Sequence, residues 1–155
     1  MVVVVVLVAL LVVAGIAGPV IWIRRAASCA RVIDAPASER EAIFAGDVLS
    51  RYVITSGSLA VLEFFDWGVR LRGRLVSRWI VPRWEARYSE LAIAELVTLP
   101  HSRIAVWLRL TGEHDGIGFL RMPSSEILPL LEKHGVPVNR SIAQVKRVAE
   151  LYQAR

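Results

Sequence analysis

Residues Val2–Ile23 (VVVVVLVALLVVAGIAGPVIWI) contain no charged side chain, and Arg24-Arg25 follow at once. A helix of that length would reach roughly 33 Å, enough to cross a hydrocarbon core of roughly 30 Å. Five consecutive valines favour extended backbone in water, but in lipid every peptide group must bond internally, which overrides that preference. The stretch therefore predicts a transmembrane anchor over residues 1–23. Trp22, Arg24 and Arg25 are its expected membrane-interface residues, since indoles and guanidiniums settle at that boundary.

Two further readings compete with a retained anchor. Gly15-Ile16-Ala17 offers a signal-cleavage site, but nothing basic precedes the apolar core except the terminal amine. Ala26-Ala27-Ser28-Cys29 loosely resembles a lipoprotein box without its leucine. Either would make an exported or lipid-anchored envelope protein. With a retained anchor, Arg24, Arg25 and Arg31 on its C-terminal side place the following domain in the cytoplasm and the N-terminus outside. A single cysteine, Cys29, allows no intrachain disulfide.

Of 19 basic residues, 17 are arginine, and the net charge is +5. The charge is spread along the chain, so no nucleic-acid partner is expected. The 132 residues after position 23 are one domain's worth. Residues 24–57 read as a connector and a helix. Ser38-Glu39-Arg40-Glu41 has capping-box spacing, and Ile43, Phe44, Val48, Leu49 and Tyr52 recur at helical intervals, predicting a helix over Ser38–Tyr52.

From Leu59 the period becomes two. Strands are predicted at Leu59–Phe65, Val69–Leu75, Trp84–Tyr88, Ile93–Leu99, Arg103–Leu110 and Ile117–Met122, with turns between them. A helix from Ser124 or Ser125 to His134 follows, ended by Gly135, with Pro129 required near its first turn. Residues 139–155 read as an amphipathic tail helix, with Ile142, Val145, Val148, Ala149 and Tyr152 as its apolar stripe. The expected fold class is α+β: a transmembrane helix, then a small antiparallel β-barrel or roll capped by a C-terminal helix.

Arg70, Arg72 and Arg74 share one strand face by period-two spacing, and so form a candidate site for anionic head groups or a protein partner. The plainer reading is a solvated face paired with Glu85 or Glu95. Arg78, Trp79 and Arg83, with Trp84, mix guanidiniums and indoles as interface-dipping segments do; the alternative is a core bulge. His101, Glu113, His114 and Asp115 invite an acid–base or metal reading. They lie in predicted turns without any accompanying metal or nucleophile motif, so no catalytic residue, metal or cofactor is assigned.

The stretches LAVLEFFDWGVRLRG, RWEARYSEL, RIAVWLRL and PSSEILPLLEKHGVPV together resemble the bacterial PH-like domain, and more closely the membrane-anchored PH-like proteins of actinobacteria, over residues 58–138. The resemblance implies a bent antiparallel barrel with a capping helix and a binding role without catalysis. It also implies that Arg70-x-Arg72 corresponds to an R-x-R pair in the family's second strand, although the lysine that ends the first strand is absent here. The combined expectation is a single-pass membrane protein presenting a non-catalytic binding or scaffolding domain to the bilayer, to membrane proteins or to a second copy. A membrane-bound enzyme built on His101 and His114 is the rival from another class.

Overall fold

The computed structural model describes residues 30–50, 55, 57–74, 77–78, 80–99, 103–112, 116–120 and 124–144. Eight strands occur among them: β1 (Arg40–Leu49), β2 (Ala60–Phe65), β3 (Gly68–Gly73), β4 (Trp84–Arg87), β5 (Leu91–Leu99), β6 (Arg103–Leu110), β7 (Gly116–Leu120) and β8 (Val138–Gln144). One helix, α1 (Ser124–Lys133), lies between β7 and β8. The strands form one sheet in the order β4-β3-β2-β1-β7-β6-β5-β8. All pairs are antiparallel except β5–β8, whose parallel pairing follows from the α1 crossover.

β1 joins the two halves of the sheet. Residues Arg40–Gly46 pair with β2, and Asp47–Leu49 pair with β7 on the other edge. The exchange falls at Gly46, where a Cβ would come within 2.4 Å of the Leu120 carbonyl oxygen and 2.5 Å of the Phe119 ring. Only glycine lets the β7 backbone approach so closely there. Beyond β1, the Thr55 hydroxyl accepts from the Val48 amide at 2.8 Å, and Asp47 accepts from the Ser58 amide at 2.7 Å.

The core draws on both halves and on α1. Val48, Leu62, Phe64, Val69 and Leu71 pack with Val106, Leu108, Ile117 and Phe119, and with Ile127, Leu128 and Leu131 of the helix. The helical spacing of those last three puts them on one stripe. Pro129 sits in the second turn of α1, deeper than expected, and tolerably so because its position is exposed and the Ser125 carbonyl it leaves free can meet water. The helix end is tied to β1 by Glu41, which accepts from Lys133 and lies 2.7 Å from His134 Nε2. A bulge between Arg40 and Ala42 gives Glu41 that orientation.

Three expectations about the fold are corrected. The helix expected over Ser38–Tyr52 is instead β1 over Arg40–Leu49: its backbone pairs with β2 and then with β7, Ile43 stays exposed and burial is continuous only over 46–49, while residues 51–52 lie outside the described residues. The tail helix is not formed where it should begin: Ile142, Ala143 and Gln144 complete β8, and residues 145–155 lie outside the described residues. The closed barrel or roll of an α+β fold is instead a mixed eight-stranded sheet, with β4 and β8 as unjoined edges.

The membrane assignment is corrected as well. No helix among the described residues is long and apolar enough to cross a membrane. The one α-helix among the described residues has 10 residues, about 15 Å of rise against a core of roughly 30 Å. A single-pass, transmembrane-helix protein at the cell membrane with a cytoplasmic domain is therefore not the description adopted. Val2–Ile23, with Trp22, Arg24 and Arg25, lies outside the described residues.

Candidate functional site

Strand alternation on β3 sends Val69 and Leu71 into the core and Arg70 and Arg72 to the opposite face. On β2, Leu62 and Phe64 face the core while Val61, Glu63 and Phe65 face the arginines. In register, Arg70 stands opposite Glu63 on one side and Glu85 of β4 on the other. The pairs form partly on the diagonal. Arg72 donates through Nε and Nη2 to both oxygens of Glu63 at 3.0 Å, and Arg40 of β1 adds a third bond to that carboxylate at 3.0 Å.

Glu85 is clamped in the same way. Its Oε1 accepts from Arg70 Nε at 2.6 Å and from Arg83 at 2.9 and 2.7 Å, while Oε2 accepts from the Ile33 amide at 3.1 Å. The Arg70 guanidinium also lies 4.8 Å from the Phe65 ring centroid and 5.8 Å from that of Trp67. Those two rings stack at 5.2 Å, an arrangement that holds the guanidinium by cation–π attraction.

Burial sorts the charges by sign. The Glu63 and Glu85 side chains are 4% and 0% exposed, whereas those of Arg40, Arg72 and Arg83 are 47%, 43% and 52% exposed. Burial pushes both carboxyls toward the neutral form, but the arginine hydrogen bonds outweigh it, and both titrate below the ordinary value. Four guanidiniums thus surround two sunken carboxylates, leaving two positive charges in excess on the outer layer.

A short N-terminal segment borders this face. Arg31 forms an isolated parallel bridge with Trp84, and its guanidinium holds Glu90 at 2.8 and 3.2 Å. The Arg31 bond keeps the Glu90 carboxyl below its ordinary value.

Of the residues expected to bind, Arg70, Arg72 and Arg83 come together in this network. Arg74 lies just past the end of β3, exposed, with one long bond to the Ser58 carbonyl at 3.4 Å, and does not join it. Arg78 is exposed in the loop before β4, and Trp79 lies outside the described residues. Trp84 is buried in the core. Glu95 pairs with Arg109 rather than with this face. Since β1 precedes them, Arg70-x-Arg72 falls on the third strand of the sheet, one strand later than the resemblance implies.

Arg40 escapes sequence reasoning because it is assigned there to a helix. Glu63, a lone acid in the apolar run LAVLEFF, is the signal that an opposing cation exists. His101, Glu113, His114 and Asp115 lie outside the described residues. Among the described residues no three His, Cys, Asp or Glu side chains gather as metal ligands would. Compared with known proteins, the sequence matches no family model and no curated protein.

Proposed function

We propose that this protein is a non-catalytic binding module that docks an acidic protein surface on the outer face of β1–β4. The observation that carries this reading is the sorting of charge by depth: carboxylates beneath, guanidiniums outside. A face meant only to be stable needs one cation per buried anion, and here each anion has two. Arg70 engages Glu85 through Nε alone, so its terminal nitrogens keep donor capacity. Arginine forks match carboxylates bidentately, and arginine beside tryptophan is the composition of energetic centres in interfaces. The resemblance to PH-like domains implies a binding role without catalysis.

The sunken carboxylates have a second consequence. They fix the guanidinium planes in advance, which lowers the side-chain entropy lost on docking. Their own charge is covered, so Glu63 and Glu85 repel an acidic partner less than exposed carboxylates would.

A labelled polyglutamate peptide tests the proposal by fluorescence anisotropy at low salt. Replacing Arg40 and Arg83 together by alanine should weaken binding about tenfold, as expected for two exposed charge contacts. Arg103→Ala, on β6, should leave it unchanged, and binding to the parent protein should fade as salt rises. Equal losses at Arg103 and at the Arg40/Arg83 pair would reject the face as the site.

A further inference from the structure

β1 carries apolar side chains where a strand facing water ordinarily carries polar ones. Ala42 and Phe44 turn inward, half-buried against the core. Alternation sends Ile43 and Ala45 to the other face, and both are exposed. That face is the one the guanidiniums occupy, because Ile43 pairs with Glu63 and Ala45 with Val61. In register, Ile43, Glu63, Arg70 and Glu85 form one row across four strands, with Ile43 as its apolar end.

Ile43 is 45% exposed, and a single exposed isoleucine needs no explanation of its own. Its surroundings make this one informative. Ala45 and the flank of Val61 extend it into an apolar strip along β1 and β2. Arg40 pairs with Phe65 on the row before Ile43, and Arg72 pairs with Val61 on the row after it, each row roughly 7 Å from the next. Both guanidiniums meet Glu63 Oε1 at 3.0 Å, so Ile43 lies between them. Arg40 engages Glu63 through Nη1, and Arg72 through Nε and Nη2, which leaves each with further donors. An apolar centre with charged groups at its rim is the anatomy of a protein interface.

A purely acidic partner would satisfy the guanidiniums but press carboxylates against Ile43 and Ala45, where they find no hydrogen-bond donor. We infer that the partner presents an apolar side chain flanked by carboxylates, the apolar group seated on Ile43 and Ala45 and the carboxylates on Arg40 and Arg72. The inference rests on the contact face proposed above and adds the residue that sets its specificity. Charge steers acidic chains to the face, and Ile43 selects among them.

Two labelled peptides of equal charge test this by fluorescence anisotropy on the full chain, with glutamates flanking either a central leucine or a central serine. The parent should bind the leucine peptide about tenfold more tightly, as burial of one aliphatic side chain allows. Ile43→Ser should reduce the leucine peptide to the affinity of the serine peptide and leave the latter unchanged. Ile104→Ser, at an exposed isoleucine of β6, should alter neither. Equal affinities for the two peptides on the parent, or a leucine advantage that survives Ile43→Ser, overturn the inference while the serine peptide still reports the charged face. Failure of both peptides to bind overturns the contact face itself, and the inference with it.

Discussion

The two halves of the sheet share one core yet cover their outer faces with opposite chemistry. On β1–β4 the outward layer is Arg40, Glu63, Arg70, Arg72 and Glu85, held by ion pairs. On β5–β7 it is a second apolar cluster of Val97, Leu99, Ala105, Trp107 and Leu120, joined by Leu49 from the end of β1 that pairs with β7. There Trp107 lies over β7, where a Cβ on Gly116 or Gly118 would come within 2.6 and 2.9 Å of its indole. Among the described residues the charged layer gathers four guanidiniums about two buried carboxylates, whereas the apolar layer has its polar groups at its margin, in Arg103 and the Arg109–Glu95 pair. One half is thus specialised for packing and the other for contact.

Cutting into the apolar layer should cost most. Trp107→Ala removes a fully buried indole and should destabilise the protein by about 3–5 kcal/mol in urea unfolding. A loss below 1 kcal/mol would mean that this face does not contribute as a core does. Glu85→Ala comes next. It strands Arg70 and Arg83 without their shared carboxylate, at about 2–3 kcal/mol, below the value for a fully buried pair because both guanidiniums can turn to water. Replacing Arg70 and Arg83 in the same molecule should add less than the sum of the separate losses.

Acid separates the halves in another way. Glu63 and Glu85 have folded-state pKa values below the ordinary carboxylate value. Their stabilisation is therefore present above the unfolded value of about 4.3 and disappears as pH falls through the lower folded values. Thermal unfolding of the Glu63→Gln/Glu85→Gln variant should show a flatter decline in that acid window than the parent, whereas Trp107→Ala should keep the parent's slope. Arg40→Ala should have the smallest effect, about 0.5–1 kcal/mol, because this arginine is half-exposed and Glu63 keeps Arg72. A larger loss would make Arg40 a structural residue first.

The same contrast explains what the sequence discloses. Period-two alternation locates β2 to β7 to within a few residues, and β6, Arg103–Leu110, coincides with its predicted span. α1 runs over Ser124–Lys133, inside the predicted helix, because its apolar stripe and closing glycine are local signals. β1 is hidden because a bulge and a change of neighbours break its alternation and make 46–49 buried throughout. Gly46 is poorly suited to a helix interior, and the close approach of β7 is what requires it there.

β8 is masked by a stripe of helical period, and its place beside β5 depends on a crossover that no local pattern encodes. At the site, Arg70 and Arg72 are legible from spacing, and Glu85 from its place on the next strand. Arg40 is not, because its contribution depends on β1 being a strand. Trp107, which alternation turns outward on β6, is nonetheless buried, since an outward side chain is exposed only where nothing covers that face.

The central claim, that the charged half is the contact surface, is tested most directly by nuclear magnetic resonance of the arginine Nε–Hε groups during titration with the polyglutamate peptide. The account predicts shifts at Arg40, Arg70, Arg72 and Arg83 that saturate together, with Arg103 and Arg109 of β6 unmoved. Shifts confined to Arg103 and Arg109, or distributed evenly over all the arginines, would contradict it.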